Sequence, residues 1–86
     1  MDNKDYAYII VESFIPHAHT RKFGVHVRPL EGQEPYLSTM FVECNKELSF
    51  GYDVGTKFRI KAKITAKEGG TPFIYSHYSW PYEVLK

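Results

Sequence analysis

Four cations stand at every second position between residues 57 and 63: Lys57, Arg59, Lys61 and Lys63. Alternation of this period puts side chains on one face of a β-strand, with successive charges about 6.6 Å apart. That distance is near the repeat of phosphates along an extended nucleic-acid strand, so the row could hold a polyanion through its backbone. Four cations cannot be buried without partners. The face is therefore solvated or meets something anionic. The plain alternative is the outer face of an antiparallel sheet, kept soluble by lysines that also discourage edge pairing.

A second group of residues could act with the first. Phe73, Tyr75, Tyr78, Trp80 and Tyr82 place five of the 14 aromatics within ten residues. Bases stack on such rings whatever their identity, and small barrels that bind single strands combine stacking rings with cations. Tyr75, His77 and Trp80 are the candidates for stacking beside the cations. The competing demand is the core, because aromatic rings dominate burial in a small domain. Either Phe73-Tyr75-His77 or Ile74-Ser76-Tyr78 must face inward.

Other reactive residues form weaker patterns. His17 and His19 are two apart, as two ligands of one metal could be, and His26 could supply a third; His77 stands elsewhere. No cysteine pair, His-Glu-x-x-His run or carboxylate cluster completes such a site, and no metal or other cofactor is expected. Cys44 precedes Asn45 and could pair with a histidine on paper. Its parity with Met40 and Val42 instead makes it a small buried hydrophobe, with no glycine-rich turn beside it for an oxyanion hole. Gly69-Gly70 is no phosphate loop, since neither a helix nor a Lys-Ser/Thr pair follows. An enzyme is not expected.

The elements that must carry these residues are strands. After Gly55 the stretch VGTKFRIKAKIT sets Phe58, Ile60, Ala62 and Ile64 against the cations, which makes a half-buried strand with an apolar inner face. Tyr6 to Ile15 is rich in β-branched and aromatic residues and reads as a first strand, ended by Pro16. Phe23 to Arg28 reads as a second, joined to the first as a hairpin across the polar loop His17 to Lys22. Gly24 marks a bulge or a close approach of chain. Pro29 to Pro35 is loop, and Leu37 to Cys44 reads as a third strand with Met40, Val42 and Cys44 on one face. Asn45 to Asp53 admits a turn with a short strand, or one helical turn near residues 45–50. Lys67 to Gly70 closes a hairpin, Pro72 to Tyr78 returns beside the basic strand, and Trp80 to Leu85 ends as an edge strand or extended coil.

Five or six strands in 86 residues predict one all-β domain, a small antiparallel barrel of oligonucleotide-binding (OB-like) or SH3-like type. Residues 1–5 read as frayed. A hydrophobic fraction of 43% argues against intrinsic disorder. A single cysteine excludes a disulfide framework, and with no apolar run long enough to span a bilayer and no signal-peptide pattern, the expected location is cytoplasmic. The net charge of +1 conceals a division: residues 57–67 carry five basic residues and no acid, while the rest of the chain has a net charge of −4. Such polarity suits electrostatic steering.

Two functions follow. One is a binding module for single-stranded nucleic acid, with Lys57, Arg59, Lys61 and Lys63 on phosphates and Tyr75, His77 or Trp80 stacking. The other is a protein–protein adaptor or self-associating subunit that uses its aromatic C-terminal strand. Four phosphate contacts would give a log–log salt slope of about −2.8 for a single strand. Pairing of Arg59 and Lys61 with Glu12, Glu43 or Glu83 would instead mark a neutralised sheet face.

Overall fold

The computed structural model describes residues 6–15, 25–66 and 69–85. They form six strands and one helical turn: β1 (Ala7–Phe14), β2 (His26–Pro29), β3 (Val42–Glu43), α1 (Glu47–Phe50), β4 (Lys57–Thr65), β5 (Phe73–Tyr75) and β6 (Glu83–Leu85). The sheet runs β2-β1-β4-β5-β3, with β6 also on β4, and it curls until it is nearly closed into a barrel. All pairings are antiparallel except β3 with β5, which is parallel. The all-β barrel expected from the sequence is the fold found.

The basic strand organises the sheet. One edge of β4 pairs with β1 from Ala7↔Ala62 to Glu12↔Lys57. Its other edge pairs with β6 at Lys57 to Arg59 and with β5 at Lys63 to Thr65. Its inner face, Phe58, Ile60 and Ala62, is at most 2% exposed. Ile9 and Val11 of β1 lie opposite these residues, and Val27, Val42, Leu48 and Ile74 complete the core. Every strand but β6 thus buries an aliphatic side chain there, while Val84 of β6 packs against it partly buried. Burying these side chains at about 1.5–3 kcal/mol each holds the barrel together.

Polar groups fix the register where pairing runs out. Ser13, 1% exposed, takes the Gly55 N–H on its carbonyl at 2.9 Å and on its Oγ at 3.1 Å, and donates its own N–H to the Thr56 carbonyl at 3.1 Å. Gly55 stands at φ +96, a left-handed conformation that favours glycine, so the chain can turn here directly into β4. On β1's other side, pairing with β2 ends at Val11↔Pro29. Beyond it the Gln33 amide completes the ladder, accepting from the Ile10 N–H and donating to the Ile10 carbonyl, both at 2.7 Å.

Several boundaries differ from those expected. Only Val42 and Glu43 of the Leu37–Cys44 stretch are strand, because Met40 N–H bonds the Leu37 carbonyl at 3.0 Å and folds residues 37–40 into a turn. The alternation survives all the same: Val42 is buried, and Met40 and Cys44 pack against the core. The open segment after Asn45 is a helical turn, with Asn45 Oδ1 accepting the Glu47 N–H at 2.9 Å. On β5 the inward face is Ile74 and Ser76, 0% and 5% exposed, rather than Phe73-Tyr75-His77. The bend after Ser76 then carries Tyr78 out of that parity to 71% exposure. Pro29 is the last residue of β2 rather than the start of the loop. Residues 1–5, Pro16, the His17–Lys22 loop and Gly24 lie outside the described residues.

Candidate nucleic-acid interface on the outer face of β4

Strand parity assembles the outer face. Opposite the cations of β4 stand Tyr8, Ile10 and Glu12 of β1, with Tyr8↔Lys61, Ile10↔Arg59 and Glu12↔Lys57 in register. On the other edge Tyr75 lies opposite Lys63, Glu83 opposite Arg59 and Leu85 opposite Lys57. Tyr75 therefore shares the cations' face, as one of the two sequence alternatives required.

Pairing leaves an interval on β4. β6 covers Lys57 to Arg59 and β5 covers Lys63 to Thr65, so the edge at Ile60 to Ala62 faces the connection between those two strands. A tight turn fills that connection. Trp80 N–H bonds the His77 carbonyl at 3.0 Å, and His77 Nδ1 accepts the Ser79 N–H at 3.1 Å, with Ser79 Oγ 2.7 Å from the same nitrogen. Asn45 Nδ2 donates to the Tyr78 carbonyl at 3.0 Å and ties the turn to the start of α1. The His77 tautomer follows: a backbone N–H pointing at Nδ1 requires a lone pair there, so the neutral ring carries its proton on Nε2.

This turn delivers Trp80 to the cations. The Lys61 Nζ lies 5.3 Å from the Trp80 ring and 5.4 Å from Tyr6, and the Lys63 Nζ lies 5.2 Å from Tyr6. Tyr6 and Trp80 meet edge to face at 4.8 Å, and Tyr75 and His77 stand 6.2 and 5.8 Å from Trp80. His77 stacks on the exposed Tyr78 at 4.6 Å. Lys61 and Lys63 lie half-buried beside these rings with no carboxylate among the described residues within ion-pair distance.

The other half of the row is different. Arg59 Nη2 bonds Glu83 Oε1 at 2.6 Å, and its guanidinium lies 5.8 Å from the Tyr8 ring. Lys57 faces Glu12, whose carboxylate already holds Arg28 at 3.2 Å. The uniform strip of four cations thus divides. Lys61 and Lys63 have aromatic neighbours and, among the described residues, no carboxylate within ion-pair distance. Arg59 is neutralised, and Lys57 stands apart from the rings. Of the pairings that would mark a neutralised sheet face, Arg59 with Glu83 is formed, and among the described residues Lys61 has no carboxylate partner.

Of the sequence-predicted residues, Arg59, Lys61, Lys63, Tyr75, His77 and Trp80 come together, and Lys57 lies at the far end. Tyr6 and Tyr8 belong to the same face and were not singled out, while Glu83, named beforehand only as one carboxylate that could neutralise the strip, holds Arg59 there. Tyr6 and Tyr8 have the outward parity of β1, a signal readable once β1 is paired with β4.

His26 and Cys44, among the described residues, lie outside the strands that form this face. Among the described residues no three of His, Cys, Asp and Glu gather as metal ligands. His26 is on β2, and His17 and His19 are outside the described residues. Cys44 is a free, half-buried thiol whose pKa is pushed up to about 11 by desolvation, with Glu43 adding to the effect. No helix among the described residues is long and apolar enough to cross a membrane. Comparisons with protein-family models, curated proteins and solved structures find no match to this chain.

Proposed function

We propose that the protein is a small non-catalytic binding module that takes single-stranded nucleic acid on the outer face of β4. One observation carries the reading. Lys61 and Lys63, without carboxylate partners among the described residues, stand within 5.4 Å of the rings of Tyr6 and Trp80 on a single sheet face. Cations for phosphates and rings for bases are then offered side by side, with Trp80 carried on a turn fixed by its own hydrogen bonds. Preorganisation of this kind lowers the entropy cost of binding.

Fluorescence anisotropy with a short single-stranded oligonucleotide at two salt concentrations tests the reading. Two effective phosphate contacts give a log–log slope of about −1.4, half the value for four cations. Lys61→Glu weakens binding on the order of tenfold at low salt. Absence of low-salt binding, or a variant that binds as well as the parent, would refute it.

The adaptor reading keeps one specific support, the exposed ring of Tyr78. Tyr82, by contrast, packs within the molecule, 5.8 Å from Phe58. An aromatic-anchored protein contact would be nearly indifferent to salt, so the same titrations separate the two.

A further inference from the structure

We infer that the cleft at the Arg59 end of this face reads guanine, an assignment that rests on the nucleic-acid reading above and names the base it prefers. The cleft, about 290 Å³, lies between the outer face of β1 and β4 and the segment running from Trp80 into β6; Tyr8, Arg59, Lys61, Trp80 and Glu83 line it. Its size suits one base better than a drug-sized ligand. Rings stand on its walls, and three charged side chains of two signs share its surface.

The pattern of those charges is specific. Arg59 and Glu83 are cross-strand partners, joined at 2.6 Å, so a guanidinium donor sits directly beside a carboxylate acceptor. Neither is exhausted by the bond. A guanidinium has five N–H donors and a carboxylate two oxygens with about four acceptor positions. Both side chains are also a little over half exposed, 56% and 55%, so both are open to a ligand. The Tyr8 ring beneath the guanidinium holds it from a second side. Lys61 adds another donor on the same cleft wall.

Guanine is the base whose edges match all three groups. Its O6 and N7 accept hydrogen bonds, as from Arg59 and Lys61, while N1–H, beside O6, and the N2 amine beyond it are adjacent donors, as a carboxylate requires. Adenine offers a carboxylate only its N6 amine, and cytosine only its N4 amine. Uracil flanks its single N–H with two carbonyls, which the Glu83 charge repels. Stacking on Tyr8 or Trp80 tolerates any base. Discrimination therefore falls to Glu83.

The test uses six-nucleotide oligouridylates carrying a single central guanine, adenine, cytosine or uracil, titrated by anisotropy at one low salt concentration. The guanine-containing strand binds about tenfold or more tightly than the all-uridine strand, the scale of one good bidentate base contact. Glu83→Gln abolishes that preference and raises the all-uridine affinity, because it removes a negative charge from the face and releases Arg59 from its carboxylate. Equal affinity for the four strands, a preference for another base, or a guanine preference that survives Glu83→Gln each overturns the assignment while the nucleic-acid reading stands. Guanosine monophosphate supplies a second arm. Its competition with the guanine strand shows a pocket for a free nucleotide as well as for a base in a chain; failure to compete, with the strand preference intact, shows that the phosphate contacts of a chain are needed. If no strand binds but the mononucleotide does, the guanine site stands and the nucleic-acid reading falls. Binding of neither overturns both.

Discussion

At the scale of single residues, parity was the most legible signal. The alternation after Gly55 predicts Phe58, Ile60, Ala62 and Ile64 as core and the cations as the outer face; all are so placed except Ile64, which packs against the core only partly buried. What parity cannot supply is the partner of each charge, which depends on strand register across tens of residues. Glu83 reaches Arg59 only because β6 pairs with the start of β4, and nothing in the local sequence around either residue announces it. Cys44 shows the limit of the same source. Its parity with Val42 predicts a buried hydrophobe, but it packs against the core only half-buried, and the thiol is pushed up to about 11 chiefly by desolvation. At pH 8 about a thousandth of it is then thiolate, against roughly a quarter for a free cysteine. Alkylation by iodoacetamide at pH 8 should accordingly run at least tenfold slower in the native protein than in denaturant. Equal rates would show the thiol to be exposed and unperturbed.

At the scale of elements, strand existence was legible and strand length was not. The 37–44 stretch has β-type alternation, yet a turn hydrogen bond between Leu37 and Met40 claims its first half. The choice between inward faces on β5 was also open in the sequence, since both sets carry aromatic or aliphatic side chains. Register decides it, because Ile74 sits opposite Ile64 and Tyr75 opposite Lys63. A contact between connections ties α1 to β6: the hydroxyls of Tyr52 and Tyr82 lie 3.0 Å apart, and both rings pack on Phe58. The hydrogen bond to Tyr52, helped by desolvation, pushes the Tyr82 pKa up to about 12. A phenol whose folded pKa is raised contributes stability that is complete below its unfolded value, near 10, and lost as pH climbs through about 12. Urea midpoints measured at pH 9 and at pH 11.5 should fall more for the parent than for Tyr82→Phe. An identical fall in both would show that this phenol does not couple folding to pH.

At the scale of the whole molecule, the fold and the candidate site depend on the same strand. β4 is paired along both edges near its start, to β1 and to β6, and its Phe58 is fully buried beneath those neighbours and the ring of Tyr82. A chain ending at Trp80 would lose Tyr82, Glu83 and Val84 together. Three consequences follow from one cut. The edge of β4 at Lys57 to Arg59 loses its ladder partner, leaving backbone groups open to another chain. The core loses the cover of Val84 and Tyr82, a loss on the order of 2–4 kcal/mol if each contributes part of a full side-chain burial. Arg59 loses its carboxylate and joins Lys61 and Lys63, which have none among the described residues. Thermal unfolding should therefore shift down by about 10 °C or more, given the several degrees that each kcal/mol moves a domain of this size. At low salt the truncated protein, still folded at 10 °C, should bind an all-uridine strand with a slope near −2.1 in place of about −1.4. An unchanged melting temperature would show that β6 is not an integral strand of the barrel. A steeper slope without it would still assign Glu83 the role of limiting the basic face to its aromatic end.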